Sequence, residues 1–390
     1  MEKEKQFDSA IEQKRQQVDV PFNPEAVGDF EWLLQNAPMF DEGGFAKALD
    51  AEGKRLPATP EQKAEMDSNF SQLGHLLEGC DASWFLGGAA NVSMMNKGEY
   101  IGYHKDIDLM VEARDLEKLE KHLKEKGYGI FIKEGENEEN QETTWRRVGG
   151  KKLKEDVRDI VINKKAWPHD ISINKIDEKG SIVLDEPLNF IDLYPLQRND
   201  EGLPVGCQNV VLPEKWLEGQ PIPFQDTQLN LAHPALFAYF KLRCERPYDM
   251  NDLEKMVDMG KLKEADIKEI GKVYEKEFDL RMEEGKKILE PLLRGIRPDI
   301  SASEISNLFL ESPEIQDKLK VNPKKGAAAL ESLAKIIEAM PDKPSEKIRE
   351  LILGQQDSIR QKFFDKTNRL LELTEKNRLL GLINKNESPI

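Results

Sequence analysis

Phe70, Leu73, Leu76 and Leu77 recur at helical spacing, and the pattern predicts a helix running into the short apolar segment Trp84-Phe85-Leu86. That segment reads as a strand stopped by Gly87 and Gly88. A second apolar run, Ile107 to Val111, has Asp106, Asp108 and Met110 at alternate positions. Side chains alternate across a strand, so both aspartates are expected on one sheet face. Asp115 is placed to cap the next helix, whose apolar stripe is Leu116, Leu119 and Leu123, and Gly127 falls where that helix should end.

Further along, Gly135 to Gln141 is acidic and turn-like, and Thr143 to Trp167 follows with eight Lys or Arg against three acids in a strand-turn-strand pattern. Ile160 to Asn163 and Asp170 to Ile176 predict strands, with shorter candidates at Ile182 to Leu184 and Ile191 to Tyr194. Pro213, Pro221 and Pro223 predict a long irregular connection. From Pro234 to Ile390 the pattern is helical, broken at Gly260, Pro298, Pro323 to Gly326 and Pro341 to Pro344, while Pro21 to about Cys80 reads as helices between proline turns. The expected fold class is therefore α+β: a mixed-sheet domain over residues 81–230, between a helical extension over 1–80 and a helical C-terminal region over 231–390. No fixed-period repeat is present, and the last helix, roughly Ser345 to Ile383, is long enough to bind a partner or a second copy.

Composition narrows the functional classes. A chain of 390 residues exceeds one comfortable core. Its formal net charge of -16 repels a phosphate backbone over most of the surface, which argues against a dedicated nucleic-acid binder. No apolar run is long enough for a bilayer, and the N-terminus lacks a signal-like apolar core, so a cytoplasmic protein with no membrane partner is expected. Cys80, Cys207 and Cys244 are far apart, form no CxxC pair and have no neighbouring histidine cluster, so they are expected to be reduced and without a zinc role. With five histidines and no local Cys-His pairing, nucleophilic triads have little support, and neither a Walker loop nor GxGxxG occurs.

The chemistry concentrates at Asp106 and Asp108. Two carboxylates on one face of an apolar strand repel unless a cation neutralises them, and hard oxygen donors suit Mg²⁺ or Mn²⁺. A bare DxD also fits a solvated edge strand; the Gly87-Gly88 turn before it narrows the choice. Glycine lets backbone approach a phosphate closely, or it serves only the dihedrals of a tight turn.

A Gly-Gly turn after an apolar strand, then His104-Lys105-Asp106-Ile107-Asp108-Leu109, resembles the polymerase-beta-like nucleotidyltransferase superfamily. The segment through Tyr128 is most similar to lincosamide and aminoglycoside nucleotidyltransferases and to nucleotidyltransferase toxins of toxin-antitoxin pairs, and the resemblance covers about Ser83 to Met256. It implies a nucleotidyltransferase-type mixed sheet flanked by helices. It also implies transfer of a nucleoside monophosphate from an NTP to a hydroxyl acceptor, with release of pyrophosphate. Asp106, Asp108 and a third carboxylate would then hold two Mg²⁺ or Mn²⁺ ions. Asp170 is the candidate for the third role and Asp192 its rival. Gly87, Gly88, Ser93 and Lys241 are the nucleotide-binding candidates, Ser93 because Ala89, Ala90 and Asn91 replace the family's usual small polar residue.

Lys241 and the later Arg246, Asp249 and Asp252 resemble the family's Lys and Arg-x-x-Asp-x-x-Asp helix pair. Lys241 reaches a phosphate or an acidic site residue in that reading; alternatively it snorkels beside Phe240 and Leu242. The basic residues Arg146, Arg147, Lys151, Lys152 and Lys154 either gather an anionic substrate or form a solvated hairpin face. The acceptor is left open among a small molecule, RNA and protein. A second class of function is a catalytically silent nucleotide-binding or interaction protein that uses the C-terminal helices.

Overall fold

A computed structural model describes residues 55–96, 99–104, 107–136, 143–150, 153, 157, 171–184, 186, 188–206, 209–243, 248–295 and 360–380. Asp106, Asp170, Lys105, Lys151, Lys152, Lys154 and the expected strand at Ile160 to Asn163 lie outside these residues, as do the first 54 positions. The chain divides into two compact units, one of Phe40–Leu280 with Phe363–Ile390, the other of Met1–Met39 with Arg281–Lys362. The first unit contains the sheet and every described candidate residue.

The fold is α+β, with nine strands among the described residues in one mixed sheet. In chain order these are α1 (Pro60–Leu77), β1 (Trp84–Leu86), α2 (Gly88–Met95), β2 (Asp108–Glu112), α3 (Leu116–Glu125), β3 (Tyr128–Glu136) and β4 (Thr143–Val148). There follow β5 (Ile171–Lys175), β6 (Ile191–Arg198), β7 (Pro204–Val205), β8 (Gln220–Phe224), β9 (Thr227–Leu231), α4 (Pro234–Leu242), α5 (Asp249–Asp258) and α6 (Glu264–Gly295). A further helix, α7, covers 360–380. Across the sheet the order is β4, β3, β5, β6, β2, β1, β9, β8, with β7 added to β6.

Local chemistry explains the elements around the site. Thr59 starts α1 through a capping box with Gln62, Pro60 fits the first turn, and Met66, Phe70, Leu73, Leu76 and Leu77 form its buried stripe. α3 buries Leu116, Leu119 and Leu123 and is followed by Gly127 at φ 78°, a left-handed stop that suits glycine. Asp115 does not cap α3. It accepts the Ser83 N–H at 3.1 Å and the Lys118 ammonium at 2.6 Å, so it ties the start of β1 to the end of β2.

Two expectations are corrected in the strands. Ile182 to Leu184 makes only an isolated bridge, Ile176 to Ile182. The expected irregular stretch around Pro221 and Pro223 is instead a hairpin of β8 and β9. β8 is at the end of the sheet order, where a missing backbone N–H costs no ladder bond on the open side. β3 and β4 also pair, over Tyr128–Glu136 and Thr143–Val148, which places Trp145, Arg146 and Arg147 on the opposite edge.

Candidate functional site

Gly87, Gly88 and Asp108 converge at the end of β1. The Gly87 N–H donates to the Asp108 carbonyl at 2.7 Å, which closes the turn across the antiparallel β1 and β2 pair. Gly88 opens α2 at φ 59°, a left-handed conformation that side chains rarely adopt. A Cβ built there would lie 1.7 Å from Asp108 Oδ2. The glycine therefore supplies the dihedral of the turn and leaves room for the Asp108 carboxylate against the helix start. Gly87 is tight but less so, with a built Cβ 3.3 Å from Met110 Cε. The N-cap of α2 is Gly87, which has no side chain to cap the helix, and the Asp108 carboxylate packs against the helix start instead.

On the other side of Asp108 stands Asp192. β2 and β6 are parallel, and Asp108 pairs in register with Asp192, while the Asp192 N–H donates to the Ile107 carbonyl at 2.9 Å. Register partners share a sheet face about 4.8 Å apart. Both residues are half-buried. The next strand continues the row: Asp192 pairs with Ser172, a buried hydroxyl that accepts from Asn174 Nδ2 at 2.7 Å. Among the described residues no group of three or more His, Cys, Asp and Glu is arranged to hold a metal ion. Asp108 and Asp192 bring two carboxylates, the donor type that suits Mg²⁺ or Mn²⁺, to adjacent strands on one sheet face.

Ser93 and Lys241 both make buried contacts within the chain. Ser93 is buried; its Oγ accepts the Ile101 N–H at 2.9 Å and lies 3.2 Å from His104 Nε2. The His104 N–H donates to Met66 Sδ at 3.2 Å. Together these contacts staple the segment before β2 to α1 and α2. Burial, with the positive charges of Arg55 and Lys241, pushes the His104 imidazole down to about 3, so it is neutral near pH 7.

Lys241 is 5% exposed, and its Nζ meets Asp249 Oδ1 at 2.7 Å and Asp252 Oδ2 at 2.6 Å. It therefore does not snorkel. Asp249 and Asp252 are three apart on α5, which puts both carboxylates on the face that meets α4. Arg55 adds a second cation: its Nη2 is 3.6 Å from Asp252 Oδ2, and its guanidinium lies 3.9 Å over the Tyr248 ring. Lys241, Arg55, Asp249 and Asp252 thus form a buried ion cluster.

Arg55 and His104 escaped the sequence reading because each acts through tertiary contacts with no local spacing to mark it. Ser172 and Asn174 left a faint signal, polar residues alternating with Ile171 and Ile173 in a buried strand.

No protein-family model matches the chain, and no curated protein sequence matches it. Among solved structures it is similar to a crystal structure of an antigenic nucleotidyltransferase-like protein from Paracoccidioides brasiliensis. The likeness has 11% sequence identity and a TM-score of 0.29, over 58% of this chain and 92% of that one. A likeness of that size does not establish a common fold. No helix among the described residues is long and apolar enough to cross a membrane.

Proposed function

We propose that the chain is a metal-dependent nucleotidyltransferase of the polymerase-beta-like kind, moving a nucleoside monophosphate from an NTP to a hydroxyl acceptor. The observation that carries this reading is the register pair Asp108 and Asp192 beside the Gly87-Gly88 turn. Like charges on adjacent strands repel, and each unit pair at ~4 Å costs on the order of 4 kcal/mol at an effective dielectric near 20. A divalent cation converts that repulsion into a binding site.

Asp106, Asp108 and a carboxylate on a neighbouring strand would hold Mg²⁺ or Mn²⁺. Asp192 is favoured for the third role by its register, with Asp170 the competing candidate. When bound, the ions supply neutralisation of triphosphate charge and a lowered pKa at the acceptor hydroxyl. The Gly87-Gly88 turn would bring backbone close to phosphate oxygens, as residues without a Cβ allow. The acceptor oxygen bonds to the α-phosphorus, the bond from that phosphorus to the bridging oxygen breaks, and pyrophosphate leaves with those electrons. A carboxylate facing the acceptor, Asp192 in this reading, takes the hydroxyl proton and passes it to solvent.

The burial of Ser93 and Lys241 takes two candidate phosphate-binding side chains off the surface, which favours the interaction-protein form of the second reading, a catalytically silent chain. Magnesium-dependent release of pyrophosphate separates the two. The enzyme reading expects release that Asp108→Ala abolishes; no release with any NTP over a panel of hydroxyl acceptors leaves the silent reading.

A further inference from the structure

The face that carries Asp108 and Asp192 continues to the edge of the sheet. Asp108 pairs with Asp192, Asp192 with Ser172, Ser172 with Phe131 and Phe131 with Arg147, so one row crosses five strands. Lys133 and its partner Trp145 lie two residues away on the same face.

Phe190, just before β6, is 41% exposed and held at φ 51°. A bulky side chain in that conformation is strained, and such strain persists only where surroundings enforce it. Here the Phe190 N–H donates to Asn174 Oδ1 at 2.7 Å, and Asn174 in turn is anchored to Ser172. Both polar residues are buried, and Ser172 is the register partner of Asp192. The Phe190 ring meets Trp145, centroids 6.1 Å apart and tilted by 49°, which puts it on Trp145's face of the sheet. Arg147 is exposed and crosses two glycines: a Cβ built at Gly129 would be 3.1 Å from its Nε, and one at Gly180 would be 2.9 Å from its Nη1.

We propose that Trp145, Phe190 and Arg147 form the acceptor subsite and take a nucleotide unit, the base stacked on the aromatic pair and the phosphate on the guanidinium. The exposed Phe190 ring, with the half-buried Trp145 ring against it, offers a flat face that accepts any base, and the Arg fork matches phosphate oxygens. Phe190 precedes Asp192 by two residues, so a stacked nucleotide has its sugar hydroxyls within reach of the carboxylates. The inference rests on reading Asp108 and Asp192 as the reaction centre. The unit comes either as a free mononucleotide or as the end of a single strand. Both carry the same chemistry, and the net charge of -16 limits contact with a strand to its end.

The test is calorimetry in excess chelator, where a metal-bound donor site contributes nothing. The full chain is titrated with AMP, ribose 5-phosphate and a short single-stranded RNA with a free 3′ hydroxyl. Phe190→Gly is the decisive variant, since glycine takes φ 51° without strain and the fold is kept; its melting temperature checks this.

AMP binding that weakens about tenfold or more in Phe190→Gly and in Arg147→Gln supports the subsite and a free nucleotide. The same loss seen with the RNA alone supports it with a strand end as the source. Absence of binding by both probes, affinity unchanged in both variants, or ribose 5-phosphate binding as well as AMP overturns it. Magnesium-dependent NTP binding lost in Asp108→Ala stands apart from these outcomes, so the subsite fails without the reaction centre failing.

Discussion

Asp108 Oδ2 occupies the space that a side chain on Gly88 would need, 1.7 Å from the position of a built Cβ. The turn and the strand are thus one device: the glycine is required by the carboxylate as much as by its own φ of 59°. Gly88→Ala is expected to cost on the order of 1–3 kcal/mol in stability and to displace Asp108. Gly87→Ala, at φ -101° with its nearest contact at 3.3 Å, should be milder. Thermal melting and pyrophosphate release measured on both variants check the order, and Gly88→Ala with parental values in both would contradict it.

Asp192 stands in register with Asp108 on a parallel strand. Asp192→Asn should lower turnover more than Asp170→Asn, and it should not unfold the protein, because it removes one of two like charges in register. The reverse order would return the third role to Asp170.

Lys241 lies between Asp249 and Asp252 in the interior. Lys241→Met leaves two buried carboxylates without their main cation, a loss of roughly 3–5 kcal/mol by comparison with other broken buried pairs. Denaturant unfolding should show that loss. A phosphate-binding lysine would instead leave stability unchanged and weaken NTP binding, which would contradict the cluster reading.

His233 Nδ1 accepts the Ala235 N–H at 3.1 Å and so caps α4. Burial lowers the imidazole pKa below the usual histidine value, so the folded protein prefers the neutral ring. The unfolded chain takes up a proton first as pH falls below about 6.5, so stability is full above that value and declines as pH drops toward the folded pKa. His233→Asn keeps a capping oxygen without titrating. The difference in melting temperature between parent and variant should change over that acidic window and stay flat above it. A difference independent of pH would contradict the assignment.

Much of the site was legible in the sequence where the signal was local. The Gly87-Gly88 turn and the alternation around Asp108 were readable because strand geometry fixes both within a few residues. β8 was hidden because Pro221 and Pro223 argue against a strand, and only its position at the sheet end makes them tolerable. The pairing of Asp108 with Asp192 is a register across 84 positions of chain, and periodicity within either strand does not contain it. The resemblance offers Ser93 for a phosphate and Lys241 for a phosphate or an acidic residue; tertiary packing, which the sequence does not contain, sets Ser93 against Ile101 and His104 and Lys241 against two aspartates.

The central claim is that carboxylates around Asp108 bind NTP through a divalent ion. Calorimetric titration of ATP, GTP, CTP and UTP, with magnesium and then with excess chelator, tests it most directly. Affinity for the preferred NTP should collapse on chelation, and Asp108→Ala should reproduce the collapse with magnesium present. Affinity that survives both chelation and Asp108→Ala unchanged would contradict it.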